Sequence, residues 1–227
     1  YINSHFVIMA TKKCQVKKTS LEQYSRPRSN GINAITIKDG DVLLEAKLTT
    51  GQSQVVLAVK SGKAIRFEEN KTRPMGRNAS GVRGIRLAND ADEVIGMVSV
   101  NDMDSDILVV SENGYGKRSK LEDYRMTNRG GKGVKTISIT DKTGSLVSIK
   151  NVSDTDDLMI INRSGIAIRM EVESLRVMGR ATQGVRLINL RDDDSIAAVA
   201  KVLKDDEDIE DVEDIEINMT SEPESES

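Results

Sequence analysis

The chain has 227 residues, a formal net charge of −3, 3% aromatic residues, no Trp and a single Cys. One Cys excludes an internal disulfide framework and points to a reducing compartment, and no apolar run approaches the roughly 18–20 residues of a membrane span. The charge is divided: residues 205–227 hold twelve Asp or Glu and no Lys or Arg, which leaves 33 basic against 24 acidic residues, net +9, in 1–204.

Short apolar runs between turn residues predict strands. The first is 6–10, followed by a turn at Lys13, a run at 14–18, a polar connection, a third run opening Gly31-Ile32-Asn33-Ala34-Ile35, and a fourth at 42–48. The same order returns as 55–59, a turn at Gly62, 63–67, Gly81-Val82-Arg83-Gly84-Ile85 and 94–100. It returns again as 107–110, Gly114, 115–119, Gly133-Val134-Lys135-Thr136-Ile137 and 146–152. The last set is 158–161, Gly165, 166–170, Gly184-Val185-Arg186-Leu187-Ile188 and 196–203. The marker glycines are 50, 52 and 51 residues apart. Four strands in about fifty residues, four times over, predict an all-β, propeller-like fold of four four-stranded blades. The repeats run at about 1–52, 53–104, 105–155 and 156–204, and form one domain. Residues 205–227 are expected to be a disordered acidic tail that either solubilises the protein or competes with nucleic acid for the basic body. The chain starts at Tyr1 inside what reads as the lead-in to the first strand, so it is read as part of a longer protein.

Basic residues recur with the repeat. Four residues after each turn stand Lys17, Arg66, Arg118 and Arg169. Period-two alternation sets them opposite the apolar residues of the second strand, as Arg169 lies opposite Ile166, Ile168 and Met170. They are therefore expected to be solvated, and their removal to leave stability almost unchanged. Arg77, Arg129 and Arg180 lie four residues before the markers, with Arg26 and Arg28 flanking that point in repeat one, and Arg83, Lys135 and Arg186 lie two residues after. A cation at one position in four of four repeats exceeds what 33 Lys and Arg in 227 residues supply by chance. Such a set suits a polyanion that follows the rim, bound through phosphates rather than bases. In Arg129-Gly130-Gly131-Lys132-Gly133, consecutive glycines are expected to leave amides free as an anion nest.

The other candidates carry little chemistry. His5 is the only histidine and has no partner for a metal. Cys14 alternates with Val16 as a small hydrophobe, Tyr24 and Tyr124 share a repeat position that favours packing, and Asp102, Asp104 and Asp106 form a polar turn. A protein-recognition propeller with a kelch-like period is disfavoured by the basic positions and the lack of Trp. A propeller hydrolase is disfavoured by the single His.

The phrases Gly81-Val82-Arg83-Gly84-Ile85-Arg86-Leu87, Asn113-Gly114-Tyr115-Gly116-Lys117-Arg118 and Gly179-Arg180-Ala181-Thr182-Gln183-Gly184-Val185 resemble the C-terminal domain of gyrase A, a chain of the type II topoisomerase DNA gyrase, and the likeness covers 1–204. The resemblance implies a β-pinwheel, whose blades exchange strands and whose basic perimeter binds and wraps duplex DNA, in support of ATP-dependent negative supercoiling. The corresponding domain of topoisomerase IV is the alternative. It also implies partners in the rest of gyrase A and in gyrase B, as an A2B2 assembly, and a cytoplasmic, nucleoid-associated setting. ATP and magnesium would be used elsewhere in that enzyme, with no active site or cofactor in this part. The family signature Gln-Arg-Arg-Gly-Gly-Lys-Gly is matched at five of seven positions by Thr127 to Gly133, departing at Thr127 and Asn128 and standing in the third repeat.

Overall fold

The computed structural model describes residues 4–191 and 193–203; the expected tail, 205–227, lies outside them. The described residues form fifteen strands. Repeat one supplies β1 (Phe6–Thr11), β2 (Gln15–Ser20) and β3 (Leu43–Thr49). Repeat two supplies β4 (Gln54–Val59), β5 (Lys63–Glu68), β6 (Val82–Arg83) and β7 (Val94–Val100). Repeat three supplies β8 (Asp106–Ser111), β9 (Tyr115–Lys120), β10 (Val134–Lys135) and β11 (Leu146–Val152). Repeat four supplies β12 (Asp156–Asn162), β13 (Ala167–Glu171), β14 (Val185–Arg186) and β15 (Ile196–Leu203). Among the described residues no helix is long and apolar enough to cross a membrane.

All the ladders between named strands are antiparallel, and three of them join successive repeats. The sheet orders are β3-β1-β2-β6, β10-β5-β4-β7, β11-β8-β9-β14 and β13-β12-β15. Each marker strand thus leaves its own repeat and pairs with the second strand of the repeat before: Val82 with Val16, Val134 with Ala64, Val185 with Gly116. This exchange corrects two expectations. Residues 31–35 form no strand, because no earlier repeat in this sequence offers an edge. The fourth sheet has three strands, because no fifth repeat in this sequence supplies one.

The exchange explains the markers. Gly81, Gly133 and Gly184 have φ of +96°, +70° and +82°, and a Cβ on them would stand 2.6, 2.5 and 2.5 Å from the carbonyl oxygens of Val16, Ala64 and Gly116. Gly31, at φ +80°, has nothing within 4 Å. Gly133→Ala is therefore expected to lower the unfolding free energy by more than about 2 kcal/mol, and Gly31→Ala by only about 1, since the first adds a backbone clash to the shared left-handed penalty. Denaturant melts of the two variants check this; equal losses would mean the close approach costs nothing.

The hydrophobic cores lie between blades. Ile8, Ala10 and Val16 pack with Val55, Leu57, Ile65 and Phe67. Val56, Ala58 and Ala64, from the other face of the second sheet, pack with Ile107, Val109 and Tyr124. Leu108 and Val110 pack with Leu158, Ile160 and Val172. The run Val55–Val59 is apolar throughout, with three β-branched valines, because each face meets a different neighbour. The fourth runs β3, β7, β11 and β15 contact one another along the axis, which leaves β6, β10 and β14 as the outer edges.

Candidate nucleic-acid interface

The outer edge strands carry a cation at one place. Arg83, Lys135 and Arg186 are exposed on β6, β10 and β14. Beside them lies a ladder of anchored arginines. Arg77 donates to the carbonyl of Asn33 (3.4 Å), Arg129 to that of Arg83 (3.2 Å), and Arg180 to that of Lys135. Each arginine four residues before a marker thus reaches the residue two after the previous marker, so cations of successive repeats stand side by side. Arg129 also donates from Nε to Lys71 O (3.0 Å). Arg186 is held by the Tyr115 hydroxyl (2.9 and 3.2 Å), with its guanidinium 5.4 Å from that ring's centroid. That hydrogen bond holds the Tyr115 phenol below its usual range. Arg26 and Arg28 are exposed and line an open cleft with Arg77 and Asn78. Lys132 is exposed on a second, smaller cleft with Asn128 and Thr127. The glycines beside it do not form the expected open nest: Gly130 N–H donates to Gly84 O and Gly131 O accepts from Arg86 N–H, so the segment is tied to repeat two.

The second-strand set is a correction. Lys17 is 0% and Arg118 7% exposed, and Arg66 is half-buried. The face opposite the apolar residues is covered by the next blade. Arg66 crosses that interface to Leu121 O (2.8 Å) and Tyr124 O (3.1 Å), and Arg118 reaches Leu175 O and the carboxylates of Asp154 and Asp106. Arg169, on the fourth sheet, pairs with Asp157 at 2.6 Å and keeps a 44% exposed side chain. Repeat one is also shifted by one residue. Its turn is at Cys14, which takes φ +67° where the other repeats have Gly62, Gly114 and Gly165. The residue equivalent to Arg66 and Arg118 is therefore Lys18, which bridges to Pro74 as they bridge to Met126 and Val177, and which reaches Glu69 of repeat two.

Lys17 is instead equivalent to Lys117, and both are buried under the rim. Lys17 Nζ donates to Ala34 O and Arg77 O, and Lys117 Nζ to Gly179 O and Arg180 O. Burial, then the facing Arg77, lowers Lys17 to about 8. Burial also lowers Lys117 to about 8, with Asp123 opposing and Arg180 assisting. In the unfolded chain both titrate near about 10.4, so between these values the unfolded state binds more protons and stability rises with pH. The stability of the protein relative to a Lys17→Met, Lys117→Met variant is expected to increase from pH 8 to 10; a constant difference in melts across that window would contradict the burial of charged amines.

One cationic set escaped the sequence reading. Arg73, Arg125 and Arg176 stand eight residues before their markers, are exposed, and have no protein partner among the described residues. Their spacing was legible, but Arg73 and Arg176 read only as parts of a shared connecting phrase. The tyrosines and the aspartates of 102–106 take structural roles. Tyr124 is wholly buried against Thr136, its phenol pushed up to about 12 by burial. Tyr24 donates to Ala34 O. Asp104 N–H donates to Asp102 in a polar turn, whereas Asp106 pairs with Lys120 at 3.0 Å. Among the described residues no cluster of His, Cys, Asp and Glu could hold a metal.

A family model described as the DNA gyrase C-terminal domain, beta-propeller, matches residues 5–50, 54–101, 105–153 and 156–203. Gyrase A of Staphylococcus aureus (strain MRSA252) is 45% identical over 200 residues, which is 87% of this chain and 22% of that protein. The chain therefore spans about a fifth of the length of this curated relative. A solved DNA gyrase A C-terminal domain superposes with a TM-score of 0.79 at 25% identity, covering 89% of this chain and 67% of that one. The C-terminal domain of DNA topoisomerase IV gives 0.84 at 22% identity, covering 95% and 67%, a likeness of fold.

Proposed function

The chain belongs to the DNA gyrase C-terminal domain family, and on that premise we propose that its outer rim binds duplex DNA through phosphates and bends it around the perimeter. The observation that carries this is the repetition on three successive sheets: an exposed cation on the outermost strand beside an arginine anchored to the previous repeat. A regular row of positive charge fits a polyanion of regular phosphate spacing, and among the described residues it carries no α-helix to enter a groove and read bases. Lys17, Arg66 and Arg118 leave the proposed contact set, while the partly exposed Arg169 stays in it. Arg73, Arg125 and Arg176 join Arg26, Arg28, Arg77, Arg83, Arg129, Lys132, Lys135, Arg180 and Arg186. Within a whole gyrase the domain would present wrapped DNA to the rest of gyrase A, with gyrase B supplying ATP hydrolysis with magnesium to drive negative supercoiling in the cytoplasm.

Competition among unrelated duplexes tests the reading. Labelled DNA bound to the protein should be displaced equally well by duplexes of different sequence and equal length. Displacement by one short sequence alone would replace this proposal with a base-reading one.

A further inference from the structure

The two buried lysines sit where the rim is made. On the outer side of the second strand, the connecting segment of the next repeat crosses over and turns at its marker glycine. A Cβ on Gly81 would lie 3.3 Å from that of Lys17, and one on Gly184 3.4 Å from that of Lys117. The ammonium of Lys17 bonds Ala34 O at 2.5 Å and also Arg77 O. That of Lys117 bonds Gly179 O at 2.6 Å and also Arg180 O. Three of these carbonyls belong to residues that carry or adjoin a ladder arginine, and the fourth, that of Ala34, follows Asn33, which accepts from Arg77. In repeats two and four the same place is taken by Ile65 and Ile168. Over Ile65 the crossing segment is Arg129-Gly130-Gly131, tied instead by its own backbone to Gly84 and Arg86. Two lysine-held junctions therefore flank one held by backbone alone.

We propose, on the duplex-binding reading of the rim, that Lys17 and Lys117 are positioning residues: their side chains touch no DNA but fix the segments that aim Arg77 and Arg180. A charged amine inside a protein is costly unless hydrogen-bonded, and here its bonds go to two backbone carbonyls of one rim node. Losing them frees the node without removing any rim charge.

The test uses Lys17→Ile and Lys117→Ile, which install the residue that repeats two and four carry at this place, with Lys117→Met as a second variant should either fail to fold. Amide hydrogen exchange is measured without DNA, and duplex affinity at fixed salt. Exchange across 176–184 should accelerate in Lys117→Ile and across 73–81 in Lys17→Ile, while 125–133 stays unchanged in both. Duplex affinity should fall roughly tenfold, the scale of one lost charge-assisted hydrogen bond. Unchanged exchange overturns the anchor. Accelerated exchange with full affinity, where Arg180→Ala does weaken binding, overturns its service to the interface. A parent protein that binds no duplex refutes the proposed function instead, and exchange still decides the anchor.

Discussion

Affinity for duplex DNA is expected to fall about 10³–10⁵-fold between 50 and 200 mM salt, the response to roughly six to ten neutralised phosphates. The rim supplies that many cations: Arg73, Arg77, Arg83, Arg125, Arg129, Lys132, Lys135, Arg176, Arg180 and Arg186 run across three sheets. Each phosphate contact contributes about one unit to the slope of log affinity against log salt. The combined variant Arg83→Ala, Lys135→Ala, Arg186→Ala should therefore flatten the slope by about three units, equally for any duplex. Titrations at four or five salt concentrations read both numbers. A slope near zero, or one that the triple variant leaves intact, would remove the edge strands from the interface.

Arg118→Ala is expected to cost about 3 kcal/mol of stability, the scale for taking one partner from a buried ion pair. The guanidinium closes the interface between the third and fourth sheets, and its loss leaves Leu175 O without this donor and Asp106 with Lys120 alone. Arg66→Ala should cost about 2, since it takes a donor from two carbonyls of the next blade, leaving Leu121 O with the Tyr124 N–H and Tyr124 O without this bond. Arg169→Ala should cost less, about 1, since the guanidinium is half open to water although Asp157 is buried. Denaturant midpoints give the ranking. Three equal and small losses would restore these residues to the solvent-facing role that alternation alone assigns them.

That ranking marks where sequence reading stops. The fifty-residue period, the strand order and most strand bounds were legible: 94–100, 146–152 and 196–203 coincide with β7, β11 and β15. The glycines, too, could be read, because a residue at positive φ against a carbonyl admits no side chain. Exposed cations at fixed offsets from those glycines followed from the same counting. Cys14 hid the turn of repeat one, since its left-handed φ has no glycine to announce it. The destinations of Lys17, Arg66 and Arg118 were not legible, nor was the three-stranded fourth sheet. Alternation tells which residues share a face, a local property of the pleat. It does not tell what covers that face. Here the marker strand of one repeat completes the sheet of the repeat before, and both faces of the inner sheets meet neighbours. Only that non-local pairing decides that a lysine opposite an apolar row is buried under the rim, while an arginine on a two-residue edge strand faces solvent.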